Sequence, residues 1–204
     1  YLDQPDRIFA KYLKISDSLT ELDADLAEKM VAAAEKSGGS MLSFDSLDNV
    51  TPEVARELCK FSGSLFLHGL TDLHEDLAQV LALRVGNLSL SGLENLSPEY
   101  AKLLASVKGS LGLSGLTDID AEIADALARH EGTLYLSNLT EIDSETAQKL
   151  SSHSGELCLN SLRSISEDCD GSEVIPVELP RTAVLSLREE KGTIKAYEAE
   201  NYLR

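Results

Sequence analysis

The sequence predicts an α/β fold of stacked strand–turn–helix units, a solenoid with a parallel sheet on one side and helices on the other. Three observations carry this. Leu42, Leu65, Leu88, Leu111, Leu134 and Leu157 recur at one constant interval, and a fixed period in the range of roughly 20–50 residues marks a repeat array. An apolar partner stands two positions after each, namely Phe44, Leu67, Leu90, Leu113, Leu136 and Leu159, the spacing of a short strand with one buried face. An alanine and a leucine three positions apart then follow, Ala55 with Leu58 and so on to Ala147 with Leu150, which places both on one face of a helix.

Taken in order, residues 1–12 hold Pro5, then Ile8, Phe9 and Tyr12, and read as a turn with a brief helix. This is either an N-terminal cap or the remnant of a preceding repeat. Residues 13–166 form the repeat region. Its first unit is irregular: Leu13-Lys14-Ile15 supplies a strand, Leu19 and Leu22 follow, and Asp23-Ala24-Asp25 opens a helix through Leu26, Ala27, Met30 and Val31. Ala27 stands further from Ala55 than Ala55 does from Ala78, so this unit is longer than the rest, and the extra length falls within residues 32–40, ending at Gly38-Gly39.

From Leu42 the units are strict. Leu47, Leu70, Leu93, Leu116, Leu139 and Leu162 anchor the turn after the strand, and Val50, Leu73, Leu96, Ile119, Ile142 and Ile165 anchor it again. Next come Thr51, His74, Ser97, Asp120, Asp143 and Ser166, mostly side chains that accept from free N–H groups at a helix start. Pro52 and Pro98 follow at the first helical position, where a missing N–H costs nothing. Glu53, Asp76, Glu99, Glu122 and Glu145 place negative charge in the first turn, as the helix dipole favours. Gly63, Gly86, Gly109, Gly132 and Gly155 are expected to end each helix with a positive φ. Neither strand nor helix can bury its apolar side alone, so the units fold only as a stack.

Residues 167–204 read as an irregular C-terminal cap. The alanine–leucine helix is missing there, and Pro176 and Pro180 forbid a regular one. Leu185-Ser186-Leu187 lies a little more than one period after Leu157, so residues 184–187 are expected to pair onto the stack as a last strand. Residues 193–197 are expected to add a hairpin strand over the final edge.

Composition narrows the function. Hydrophobic content of 43% and charged content of 26% are ordinary globular usage, and no apolar run is long enough to suggest a membrane span. Acidic residues outnumber basic ones 35 to 18, for a formal charge of −17, which repels phosphate backbones and anionic lipid, so nucleic acid is excluded as a partner. Cys59, Cys158 and Cys169 fit no metal spacing and form no disulfide framework; whether Cys158 and Cys169 pair is left open. The chain opens on Tyr1, so the absence of a leader says little, and the compartment stays open with an inclination toward the cell surface.

The Leu-x-Leu strands in strict repeat, each followed by a helix, resemble the leucine-rich repeat family over residues 13–166. The resemblance implies a right-handed curved solenoid that holds another protein or a glycan. The family pattern has asparagine where this chain has Leu47, Leu70, Leu93, Leu116, Leu139 and Leu162, and a leucine before the strand where it has Ser62, Val85, Lys108, Glu131 and Ser154. An atypical, bacterial-type variant with true helices is expected.

Residues between the inward leucines should point out of the sheet. Most are serine or glycine. Phe66 with His68, and Tyr135 with Cys158 and Asn160, are where size or polarity rises, and rigid aromatics are favoured contact anchors. These five are the candidate binding residues. Asp72, Asp118 and Glu141, with the first-turn carboxylates, make an acidic ridge that could attract calcium or a basic partner, though helix capping accounts for most and calcium-loop spacing is missing. His130 and His153, near helix ends, are expected at the surface. No serine, cysteine or histidine is singled out from its column, so no enzyme and no cofactor is expected. The reading is a non-catalytic scaffold for protein–protein, or glycan, interaction; the alternative is a structural spacer in a longer bacterial surface protein.

Overall fold

A computed structural model describes residues 19–166 and 183–185. The N-terminal cap over 1–12, the expected strand at Leu13-Lys14-Ile15, the hairpin strand over 193–197 and most of the exit segment lie outside these. Among the described residues the elements alternate: α1 (Ala24–Ser37), β1 (Met41–Ser43), α2 (Pro52–Leu58), β2 (Ser64–Phe66), α3 (Glu75–Ala82), β3 (Leu88–Ser89), α4 (Pro98–Leu104), β4 (Leu111–Gly112), α5 (Ala121–Leu127), β5 (Leu134–Tyr135), β6 (Glu141–Asp143), α6 (Ser144–Leu150), β7 (Leu157–Leu159), β8 (Ser164–Ser166) and β9 (Ala183–Leu185). Seven of the strands form one parallel sheet in the order β1-β2-β3-β4-β5-β7-β9.

The register makes the period physical. Leu42 pairs with Leu65, Leu65 with Leu88, Leu88 with Leu111, Leu111 with Leu134 and Leu134 with Leu157. Each of these leucines is at most 1% exposed, and so are their partners from Phe44 to Leu159. Successive helices pack on one another, and Ala55, Ala78, Ala101, Ala124 and Ala147 are fully buried on the face they turn inward. Alanine there lets the helix backbone lie close to the leucine layer. A buried leucine contributes about 1.5–3 kcal/mol over an exposed one, and every unit supplies several.

Helix starts follow the sequence reading. Asp23, Thr51, Ser97, Asp120 and Asp143 accept from the N–H groups of Leu26, Val54, Tyr100, Ile123 and Thr146 at 2.6–3.4 Å. His74 occupies the same position before α3 and makes no such bond. The long first helix is also present, 14 residues ending at Gly38 with φ +70°.

The other glycines meet expectation only in part: Gly86 and Gly109 have positive φ, +115° and +146°, but none of the five ends a helix. Helices α2 to α6 end on Cys59, Leu83, Ala105, Ala128 and Ser151, all right-handed, and the glycines come later, on the turn into the next strand. What they share is crowding between neighbouring turns. A Cβ on Gly132 would sit 1.9 Å from the Gly109 carbonyl oxygen, and one on Gly155 would sit 2.2 Å from that of Gly132.

Just before each glycine runs a buried column that the sequence reading does not recognise as one: Phe61, Arg84, Val107, His130 and His153, none more than 3% exposed. The two histidines are thus interior, not at the surface. Their Nδ1 atoms donate to the carbonyls of Ala105 and Ala128 at 3.2 and 3.3 Å, the residues that close α4 and α5. The rings stack at 6.3 Å, 5° from parallel, and both Nε2 atoms are buried without a hydrogen-bond partner. Arg84 fills the same slot with no carboxylate: its guanidinium donates to the carbonyls of Phe61 at 3.0 Å and Asn87 at 3.2 Å, and to that of Gly63. Burial pushes its pKa down and that of neighbouring Cys59 up, each group partly offsetting the shift of the other.

Two further differences concern strands. Leu185 stands opposite Leu159, and Ala183 opposite Leu157, so the last strand sits two positions away from the expected alignment. A shift of two preserves the alternation of faces, so pattern alone cannot separate the two registers. The turn anchors Ile142 and Ile165 also lie in register within a second, two-stranded parallel sheet of β6 and β8, where the sequence pattern predicts a turn.

Two tests follow from this packing. Gly132→Ala should lower stability by about 1–3 kcal/mol, the usual cost of forcing carbon into a filled space, read as a lower urea midpoint at unchanged slope; a loss under about 0.5 kcal/mol, the scale of an inert surface change, would mean the turns are not in contact. Burial pushes the His130 imidazole below its ordinary value; the His153 ring adds to this, while the Ala105 and Gly109 carbonyls and Glu131 oppose it. The unfolded chain therefore takes up a proton where the folded chain does not, so this contribution is complete above about pH 6.5 and declines as pH falls through that value. Urea melts at pH 7.5 and 5.0 should show a lower midpoint in acid, and His130→Val, which copies Val107, should shrink the difference; an unaltered difference would clear His130 of the effect.

Candidate functional site

The outward face of the sheet gathers polar groups at one end. Ser43, on β1, donates from Oγ to Asp45 Oδ1 at 2.8 Å. Asp45 Oδ1 also lies 3.2 Å from Nδ1 of His68, which follows β2, and a carboxylate only accepts, so Nδ1 carries the hydrogen. His68 Nε2 is 3.2 Å from Ser89 Oγ on β3, and Ser89 Oγ is 3.0 Å from Ser91 Oγ. One line of hydrogen bonds thus crosses three adjacent strands because Asp45 and His68 occupy equivalent positions in successive units. The Phe66 ring meets the His68 ring edge-on, centroids 5.4 Å apart and planes at 73°.

The line Asp45–His68–Ser89 has the connectivity of a carboxylate–base–nucleophile relay. Acyl chemistry also needs donors aimed at a developing oxyanion. The N–H groups that flank Ser89, those of Leu88 and Leu90, are spent on the carbonyls of Ser110 and Gly112 at 2.9 and 2.7 Å. The arrangement holds the side chains of Asp45, His68 and Ser89 in one hydrogen-bonded line. Sequence reasoning chose Phe66 and His68 for their size and missed Asp45 and Ser89. The available signal was the single-period offset of Asp45 from His68, a carboxylate and an imidazole at the same position in successive units.

The second half of the predicted site is only partly as expected. Tyr135 is 39% exposed and Asn160 is exposed. Cys158 is buried, at 7% exposure. Alternation along a strand aims a side chain, whereas its exposure depends on what flanks it. Cys158 has Tyr135 on one side and β9 on the other, and a small thiol between two strands is covered. Burial raises its pKa, with the charge of Glu156 adding to the shift. Its thiol is free; Cys169 lies outside the described residues.

Phe66 and Tyr135 are not brought together. Ser89 and Gly112 stand between them in register, so three strand spacings, about 14 Å, separate them. Along the edge where strands turn toward helices, Ser91, Gly92, Glu94, Gly115, Thr117 and Asn138 line an open groove of about 520 Å³. Gly92 and Gly115 belong to this edge because a Cβ on either would meet the carbonyl of the preceding turn at 2.1 or 2.4 Å. Among the described residues no three His, Cys, Asp or Glu side chains converge to hold a metal ion, and no helix is long and apolar enough to cross a membrane.

Compared with protein-family models, curated proteins and solved structures, the chain matches none of them.

The burial of Cys158 is directly checkable. Iodoacetamide labelling of the native protein at pH 8, followed by peptide mass mapping, should modify Cys158 at least about tenfold more slowly than in urea-unfolded chain, since only the accessible thiolate reacts. Equal rates in both states would show the thiol on the open face.

Proposed function

We propose that the protein is a leucine-rich-repeat-like solenoid that serves as a binding scaffold, holding a protein or a glycan on its outward sheet face. The observation that carries this reading is the hydrogen-bonded line Asp45–His68–Ser89 beside the Phe66 ring. Polar side chains already locked in one arrangement lose little freedom on contact, so a partner meets a preformed surface. Tyr135 and Asn160 extend that surface across the sheet, and rigid rings give contact area at low entropic cost. A spacer role would rest on the regularity of the repeats. The polar line is a departure from that regularity for which a spacer has no use, and it favours recognition.

The reading is tested by affinity capture from the native source, comparing the intact protein with a Phe66→Ala, Tyr135→Ala double variant. Capture should fall about tenfold or more, as expected when aromatic anchors are truncated, while the melting temperature stays unchanged because both rings project from the sheet. Equal capture by both proteins would sink the sheet-face assignment.

A further inference from the structure

Charge is sorted across this molecule. In five successive units the turn from strand to helix carries at least one exposed carboxylate, Asp48, Asp72, Glu94, Asp118 and Glu141. Ion pairs among the described residues use other carboxylates, such as Glu53, Glu57, Asp125 and Glu131. The cations stand elsewhere. Arg56, Lys102 and Lys149 lie within helices, and Lys60, Lys108 and Arg129 lie on the turns that lead back to the sheet. From β1 onward, the first cation on the strand-to-helix side is Arg163, in the last described unit.

The helix side therefore offsets much of its own charge through pairs such as Lys60 with Glu57 and Lys108 with Glu131. The strand-to-helix rim does not. Asp48 and Glu94 share one position of the turn and Asp72, Asp118 and Glu141 the next, so on strands about 4.8 Å apart successive charges stand roughly 5–10 Å from one another, comparable with the Debye length of about 8 Å in physiological salt, and their fields overlap before screening removes them. The sheet face beside that rim brings its own anion, Asp45, half-exposed and held by Ser43 and His68, and the Phe66 ring packs edge-on against that same His68 and stands in register with Ser43. An aromatic face near a fixed carboxylate suits a guanidinium or ammonium group, which can meet both at once.

We propose that the occupant of the sheet face is a basic segment of a protein partner. One arginine or lysine side chain seats at Asp45 and Phe66, and further cations run along the rim from Asp48 toward Glu141. This rests on the scaffold reading above and supplies the chemistry of the partner. A neutral glycan or an acidic protein would leave the rim uncompensated.

The test uses a fluorescent arginine–glycine alternating peptide of about ten residues as probe, with a glutamate–glycine peptide as control, titrated onto the intact protein by anisotropy in about 0.15 M salt. The basic peptide should bind and the acidic one should not. A rim variant, Asp45→Asn with Glu94→Gln and Asp118→Asn, should weaken binding about tenfold or more, whereas a variant with the same loss of charge on the helix side, Glu28→Gln with Glu57→Gln and Glu131→Gln, should change it by about twofold or less. Equal losses in the two variants would mean that net charge alone attracts the peptide, and absence of binding to the intact protein would be equally fatal. If native-source capture depends on Phe66 and Tyr135 while the peptide fails either criterion, the scaffold reading stands and the basic partner falls.

Discussion

The turns that lead from helix to strand lie so close in neighbouring units that a methyl group does not fit between them. At Gly132 and Gly155 the space a Cβ would need is occupied by the carbonyl of the preceding turn. This contact fixes how near successive units can come, and the nearness is what lets the ladder bonds form, from Leu65 to Asn87 and Leu88 to Ser110 through Leu134 to Glu156 at 2.8–3.0 Å. Once the strands pair in that register, every leucine falls on its counterpart in the next unit, and the apolar layer is continuous. The period of the sequence is therefore a steric distance before it is a hydrophobic pattern.

The same closeness explains the buried column of Phe61, Arg84, Val107, His130 and His153. Each slot lies beside the end of a helix, where carbonyls have no intrahelical partner. A side chain that fills it must either be apolar, leaving those carbonyls to other donors, or bring N–H groups. Phe61 and Val107 take the first course. Arg84 and the histidines take the second, and they differ in how complete it is. Arg84 spreads its donors over three carbonyls, which compensates a buried charge without a counterion. His130 and His153 each satisfy one carbonyl and leave Nε2 bare. One position in the repeat thus carries three different chemistries, the histidines bonding the carbonyl that closes a helix and Arg84 bonding carbonyls of the turns beyond it.

Much of the fold was legible in the residues because its two periods are robust. Apolar alternation over Leu42 to Phe44 and the alanine–leucine spacing of the helices report burial directly, and the capping residues Thr51, Ser97, Asp120 and Asp143 report helix starts through a local bond. The failures share a physical cause: they depend on neighbours one full repeat away. His130 looks like a polar residue at a helix end until Ala105 and Gly109 close over it. Cys158 has the parity of a surface residue, yet flanking strands cover it. The glycines look like helix terminators, and the close approach they permit belongs to the next unit. The site divides in the same way, for Phe66 and Tyr135 stand out by size alone, while Asp45 and Ser89 matter only through His68.

That dependence on the adjacent unit also bears on how such a surface is specified. In an ordinary loop site each side chain is oriented by residues near it in sequence. Here Asp45 is oriented by His68, and His68 by Ser89, across strands whose spacing is set by the glycine turns and the leucine layer beneath. A substitution in the interior that altered the register by a single position would turn the whole face inward, so the integrity of the outward groups is bound to the core more tightly than their exposure suggests. Conversely, serine or glycine at the remaining outward positions, Gly112 and Ser114 among them, costs the stack little, because those side chains contribute almost nothing to the apolar layer. The units can thus stay nearly identical inside while a few outward residues carry all that distinguishes one face from another.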